Sequence, residues 1–255
     1  MSFDVSGDAY DRFMGRYSRE LAPVFADFGE IGADQSVLDV GCGSGVLTEE
    51  LARRLGPERV AAVDPSPLVE VCAARLPDAD VRQGAAEELP WPDGSFDSAL
   101  AQLVIHFLDD PVVGVAEMGR VVRQGGVVAV CSWDFTAMQL LRTFWESVQH
   151  LDPAAPAETL PYATLDGLTA LGADAGLESV ETAALEVSSW YEDFDELWDS
   201  FLLGVGPAGQ YCLSLPPDKQ AAVREEYRRR IGDPAGSFTL TASAWAVRGR
   251  VPDRR

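Results

Sequence analysis

The stretch VLDVGCGSGVLTEEL, residues 37–51, constrains the fold more than any other part of the chain. A four-residue apolar run, Val37–Val40, ends directly in Gly41-Cys42-Gly43-Ser44-Gly45. A helical pattern begins at once, with Leu47, Leu51 and Leu55 repeating every four residues. Glycines at a strand-to-helix turn allow backbone angles that other residues resist, and they let main-chain N–H groups approach a ligand closely. A dinucleotide-binding turn wants Gly-x-Gly-x-x-Gly. Here the third glycine comes one residue early and Val46 stands in the dinucleotide position, where a pyrophosphate would press on the helix. Nicotinamide chemistry is disfavoured on that ground.

The rest of the chain repeats the strand–helix rhythm. VAAVD (60–64), FDSALA (96–101) and VVAVCS (127–132) are short apolar runs bounded by Gly, Asp or Pro, as buried strands are. PLVEVCAARLP and PVVGVAEMGRVVRQGG between them carry apolar residues at helical spacing, and Asp80–Gly84 fits a shorter strand. Strand, helix, strand at this interval predicts parallel pairing. Upstream, Ser18–Gly29 reads as an amphipathic helix capped by Ser18. Downstream, Met138–His150 and Leu165–Ala175 read as helices, and Leu177–Val187 and Phe238–Val247 as strands. Between those strands, WYEDFDELWDSFLLG and KQAAVREEYRRRIG read as two helices of an inserted lid. The fold expected is α/β: a Rossmann-like, seven-stranded, mostly parallel sheet with helices on both faces, an antiparallel C-terminal edge strand and a helical lid insertion.

Charge and cysteine usage exclude several function classes. With 41 acidic and 20 basic residues the net charge is −21, which opposes nucleic acid and anionic membranes alike. No apolar run reaches the roughly 20 residues of a spanning helix, and the N-terminal stretch shows no secretory signal, so a cytoplasmic protein is expected. Cys42, Cys72, Cys131 and Cys212 are far apart, with no CxxC or Cys/His cluster. No metal site is expected, and the thiols read as reduced core residues.

Nineteen residues past Gly45, the second strand ends in Asp64. A carboxylate at that strand tip accepts hydrogen bonds from the hydroxyls of a ribose. Loop and acid together define an adenosine site at the carboxyl edge of the sheet. His106, in QLVIHFLDD after the fourth strand, falls at the same edge; it is either a base for an incoming substrate or a histidine packed among Val104, Ile105, Phe107 and Leu108. His150 reads as the C-terminal end of its helix.

YDRFMGRYS, VLDVGCGSGVLT, VAAVDPSP, GAAEELPWPDGSFD and VVRQGGVVAV occur in this order. In this the chain resembles the class I S-adenosylmethionine-dependent methyltransferases of the ubiquinone/menaquinone-biosynthesis-like type (methyltransferase type 11-like). The resemblance runs from about Tyr10 to Cys131, with a weaker echo in AWAVRGRV. It implies a single domain over 1–255: N-terminal cap helices in 1–35, a cofactor-binding core in 36–135, and a C-terminal half in 136–255 with the lid at about 190–232. It implies S-adenosyl-L-methionine as cofactor and S-adenosyl-L-homocysteine as product. The methyl would pass by in-line displacement to an oxygen or carbon, less readily a nitrogen, of a small molecule.

The resemblance also assigns residues. Asp39, Gly41, Cys42, Gly43 and Gly45 hold the methionine end; Asp64 binds the ribose, and Pro65 lies against the adenine face. Ala85, Ala86 and Glu87 run along the adenine edge, Gln102 lies near the methionine amino group and sulfonium, and Tyr10, Arg16 and Tyr17 fold over the cofactor. Relatives often carry Asp where Ala85 stands, to accept from the adenine amino group. Either a backbone group or Glu87 replaces it here, or the grip is weaker. The same pocket could serve a non-methylating cyclase, decarboxylase or regulator, since fold does not fix function. Trp133, Phe144, Trp145, Trp190, Trp198 and Phe201 either wall an aromatic or apolar substrate or simply pack the lid. A monomer or homodimer, with no nucleic-acid or membrane partner, completes the expectation.

Overall fold

In the computed structural model, residues 11–155 and 162–253 are described. Seven strands make one sheet: β1 (Val37–Val40), β2 (Val60–Asp64), β3 (Asp80–Gln83), β4 (Phe96–Gln102), β5 (Val122–Trp133), β6 (Glu178–Tyr191) and β7 (Phe238–Arg250). Their order is β3-β2-β1-β4-β5-β7-β6. The first five pair in parallel, and β7 runs antiparallel to β5, with Val127 opposite Arg250 and Trp133 opposite Ala244. The seven-stranded, mostly parallel sheet expected from the sequence is present, with its antiparallel strand on the C-terminal side and β6 outermost.

Every residue of β1 and β2 is buried. That is why these strands read as unbroken apolar runs rather than alternating ones: both faces are covered. The chain leaves β1 towards β2 and β3, then returns to the other side of β1 for β4. The strand order thus reverses between β1 and β4, and in such sheets the crevice outside the carboxyl ends at that reversal is where ligands bind.

The helices are α1 (Arg16–Phe28), α2 (Val46–Leu55), α3 (Leu68–Arg75), α4 (Pro111–Val121), α5 (Gln139–Leu151), α6 (Leu165–Asp174), α7 (Phe194–Phe201), α8 (Gly206–Ser214) and α9 (Pro217–Arg230). Three differ from expectation. A π-helical turn over Asp11–Gly15 runs straight into α1, so Ser18 is no cap; it is buried, and its hydroxyl donates to the Met14 carbonyl at 3.2 Å. Trp190 and Tyr191 finish β6 instead of opening a helix. α7 begins only at Phe194, where the Asp193 carboxylate accepts from the Glu196 N–H at 2.9 Å. α8 was not legible because Gly206 and Gly209 depress helix propensity, although Pro207 sits where a first turn tolerates it.

The described chain divides into two compact units. One comprises Leu21–Trp133, Leu160–Leu185 and Ala244–Arg255; the other comprises Met1–Glu20, Asp134–Thr159 and Glu186–Ser243. The first is built around Val40, Ala101, Ile105, Met118, Val130 and Leu171, a single apolar cluster between sheet and helices. The second has an aromatic centre. Phe144 stacks on Phe201 (4.5 Å between centroids, 16° between planes), while Tyr227 meets Phe201 edge-on and donates its hydroxyl to the Leu140 carbonyl at 3.1 Å. Such pairs add about 0.5–1.5 kcal/mol beyond area burial. Phe144, Trp145, Trp198 and Phe201 are buried here, so these four aromatics are packing; Trp190 is 58% exposed. Among the described residues no helix is long and apolar enough to cross a membrane.

Candidate functional site

The glycine bend is shaped by what its missing side chains would strike. Gly41 has φ +74°, and a Cβ there would lie 2.4 Å from Val104 Cγ2, so the turn after β4 packs directly on the bend. A Cβ at Gly45 would come within 2.9 Å of Cys72 Sγ on α3. Gly43, at φ +52°, is different: nothing lies within 4 Å of where its Cβ would be. The bend is therefore tight on its inner sides and bare on one outer surface, which is the shape a closely approaching ligand requires.

The loop amides do not point to that surface. The N–H groups of Gly41 and Cys42 both donate to the Val63 carbonyl (2.8 and 3.0 Å), that of Gly45 donates to Cys42 O (2.9 Å), and that of Gly43 donates to Asp64 Oδ2 (2.8 Å). For these four amides the expectation that they would face a ligand is corrected: three join the bend to β2 and the fourth closes the bend on itself.

Asp64 ends β2 and is 8% exposed. Its Oδ1 accepts from the Ser66 N–H (2.8 Å) and from the Ser66 hydroxyl (2.5 Å), an Asx-turn arrangement within Asp-Pro-Ser. A carboxylate has about four acceptor positions, and three are filled. One hydrogen bond can be added as the structure stands; a second requires the Ser66 hydroxyl to turn away. Ser66 was missed from sequence, although a serine two residues after a strand-end aspartate is a readable signal.

Beneath the bend, Asp39 is 1% exposed and accepts from the Thr48 hydroxyl of α2 at 2.6 Å. Burial pushes its carboxyl up to about 7, against the opposing hydrogen bond from Thr48 and with the help of the Asp64 charge. The Cys72 thiol lies 3.6 Å from the same hydroxyl. Cys42 and Cys72 belong to one small buried cluster with Ala62 and Val69. The hydrogen bond to Cys72 raises the Cys42 thiol, burial adding to it, and lowers Cys72. All four cysteines are free and buried.

The segment after β3 is held from α4. Arg120 donates to the carbonyls of Leu89 (3.0 Å) and Trp91 (2.9 Å), and Glu117 accepts from the Leu89 N–H (3.1 Å). This places Ala85, Ala86 and Glu87 beside the tips of β2 and β3, with Pro65 exposed on the neighbouring turn. Glu87 Oε1 accepts from the N–H groups of Asp109 (2.9 Å) and Asp110 (3.2 Å), tying the segment to the chain beyond β4. Gln102, half-buried, closes β4; Leu103 follows it at φ +63°, a conformation that non-glycine residues adopt at a cost of about 1–3 kcal/mol and that clusters at functional sites. His106 sits in the single turn Ile105–Phe107, at the carboxyl edge as expected. Its Nδ1 is buried without a hydrogen-bond partner, its ring lies 4.1 Å from that of Phe107, and desolvation lowers it to about 4.

These residues all belong to the sheet-bearing unit. Arg16 and Tyr17 belong to the other. There, Arg16 donates to Glu196 Oε1 (2.8 Å) and to the Trp190 carbonyl (3.0 Å) and lies 4.0 Å above the Tyr191 ring, while the Tyr17 hydroxyl meets that of Tyr191 at 3.0 Å. Tyr10 lies outside the described residues.

Residues 38–130 match the model of a family described as a methyltransferase domain. An uncharacterized methyltransferase of Mycobacterium tuberculosis is 39% identical over 127 residues, 49% of this chain and 49% of that protein. The malonyl-[acyl-carrier protein] O-methyltransferase of Hahella chejuensis is 32% identical over 134 residues, 51% of this chain and 47% of that one. The chain thus spans about half the length of the curated relatives it matches. In fold it is similar to the YcgJ protein of Bacillus subtilis, with a TM-score of 0.57 at 18% identity over 91% of this chain and 98% of that one. The match to a methyltransferase domain, with S-adenosylmethionine as the implied methyl donor, is confined to residues 38–130, and the likeness to YcgJ is one of fold.

The site's residues suit that cofactor: the bare surface at Gly43 and the remaining acceptor position on Asp64 are adjacent, because one hydrogen bond joins them. Replacing Gly41 with Ala should cost about 2–4 kcal/mol in chemical denaturation, from overpacking on Val104 and the positive φ. Gly43→Ala should cost only about 1–2 kcal/mol yet weaken S-adenosylhomocysteine binding by at least about tenfold in calorimetry, its methyl filling the open surface; intact affinity would show that the ligand lies elsewhere.

Asp39 supplies a pH test. Its carboxyl keeps a proton up to about 7 when folded and loses it near 3.9 when unfolded. Between those values the folded state binds more protons, so this group makes stability fall as pH rises from about 4 to 7, with no further change above. Thermal melts of Asp39→Asn against wild type should show the variant gaining steadily across that window; parallel curves would contradict the burial argument.

Proposed function

We propose that the chain is an S-adenosylmethionine-dependent methyltransferase that transfers a methyl group to an oxygen or carbon, with nitrogen the third choice, of a small molecule, releasing S-adenosylhomocysteine. The carrying observation is the hydrogen bond from the Gly43 N–H to Asp64, which locks the bare bend and the strand-tip acid into one surface at the switch point of the sheet. The Hahella relative is named as an O-methyltransferase, which supports oxygen as acceptor.

The cofactor, when bound, supplies a methyl already activated on a sulfonium, so the hard chemistry is not the protein's. The protein's task is alignment and exclusion of water, which can account for several kcal/mol of the barrier. In this reading Asp39, Gly41, Cys42, Gly43 and Gly45 shape the place of the methionine end, with Asp39 acting from below through Thr48. Asp64 takes a ribose hydroxyl in its free acceptor position, Pro65 lies against the base, and Ala85, Ala86 and Glu87 border it. Glu87 acts as a strut, because Asp109 and Asp110 already occupy its Oε1. Gln102 closes the methionine end. His106, held neutral by desolvation, accepts the proton of a hydroxyl or acidic carbon at Nδ1. A cytoplasmic monomer or homodimer acting without nucleic acid fits the acidity of the chain.

Wild-type protein should bind S-adenosylhomocysteine by calorimetry and release it from S-adenosylmethionine when offered hydroxylated or carbon-acid small molecules. Asp64→Ala should weaken binding about tenfold or more, the loss of one charge-assisted contact of about 1.5–3 kcal/mol; unaltered affinity would remove Asp64 from the site.

If His106 is the base, kcat should stay level from pH 8 down to about pH 5, with no inflection near 6.5, because the folded imidazole gains its proton only near 4. His106→Ala should slow turnover by about 10²–10⁴ while leaving S-adenosylhomocysteine affinity unchanged. Near-normal turnover would retire the assignment.

A further inference from the structure

A nucleoside lying across the strand tips from the bend after β1, past Asp64 on β2, brings its base to the tip of β3. This inference rests on the cofactor reading above. At its edge Ala85 offers no polar side chain, and Glu87 is braced through Oε1 towards Asp109 and Asp110.

The ladder between β2 and β3 does not stop at Gln83. Asp64 stands opposite Gln83, and the Gly84 N–H donates to the Asp64 carbonyl at 3.2 Å. A Cβ on Gly84 would face inward, 3.2 Å from Val63 Cγ2 and 3.8 Å from Pro90 Cδ. Side chains alternate across extended chain, so Gln83 and Ala85 share the opposite, open side, and both are exposed. Gln83 also reaches across to β2's end: its Nε2 donates to the Pro65 carbonyl at 3.0 Å. A carbonyl can only accept, so this contact fixes which end of the carboxamide is nitrogen and which is oxygen. No donor among the described residues reaches Oε1. An oriented acceptor thus stands beside Pro65, two residues before Ala85 on the same side.

We infer that Gln83 is the specificity-determining residue for the base: its Oε1 accepts from the exocyclic 6-amino group of a purine, selecting adenine over a 6-oxo base. The 6-oxo base presents a second acceptor to Oε1, and two facing acceptors leave both unpaired.

The test compares S-adenosylhomocysteine with its deaminated form, S-inosylhomocysteine, by calorimetry on the full chain. Wild type should prefer the adenine compound by at least about tenfold. Gln83→Leu should lose about five- to tenfold in affinity for it, with little change for the inosine compound, so that discrimination collapses. Gln83→Lys keeps a donor for the Pro65 carbonyl but has no acceptor, and should behave like Gln83→Leu. Ala85→Asp placed in the Gln83→Leu background should restore the preference, since it returns an acceptor to the same side. Equal affinity of wild type for the two compounds, or preference surviving in Gln83→Lys, overturns the inference while leaving the cofactor reading intact. Failure of wild type to bind S-adenosylhomocysteine at all overturns both. Position 83 is exposed, and matching melting curves confirm that the variants are folded.

Discussion

The carboxylate of Asp64 organises the edge of the sheet. It receives the Gly43 N–H on one oxygen and both Ser66 donors on the other, so the bend after β1, the tip of β2 and the turn into α3 converge on one side chain. The rest follows from that convergence. Four of the bend's amides are satisfied within the fold, its inner sides are closed by Val104 and Cys72, and its outer side at Gly43 is left bare. A rigid surface of this kind needs no reorganisation when a ligand arrives, and a preorganised site loses less entropy on binding.

How much of this could be read from the sequence depends on whether the signal was local. β1, β2 and the bend were legible because burial on both faces writes an uninterrupted apolar run, and because three glycines within five residues have few other uses. Asp64 was legible by its place at a strand end. The destinations of the loop amides were not, because a donor's partner is set by how two strands register, as with Cys42 and Val63, and no residue type records that. Ser66 and Gln83 were overlooked for a related reason: each is oriented by a neighbour, Ser66 by Asp64 and Gln83 by Pro65. α8 was hidden by its glycines, and the start of α1 by a π-helical turn that has no composition signature.

The aromatic-rich unit shows the limit of reading function from composition. Phe144 and Phe201 look like a substrate wall when only their chemistry is known. In the structure they face one another, with Tyr227 bonded to a helix carbonyl, and they are covered. An aromatic ring buries large area wherever it goes, so its presence alone cannot separate a binding wall from a core. The geometry of its neighbours does.

Two other ionisable groups lie along the carboxyl edge, and one cause moves them in opposite directions. Desolvation penalises whichever form is charged. It lifts Asp39 to about 7 and lowers His106 to about 4, each shifted towards its neutral form. Asp64 between them receives three donors within the fold, so the tip of β2 carries a carboxylate braced by hydrogen bonds. His106 is unprotonated near physiological pH. The same low polarity that weakens it as a base in isolation strengthens any hydrogen bond it makes once the site is closed to water.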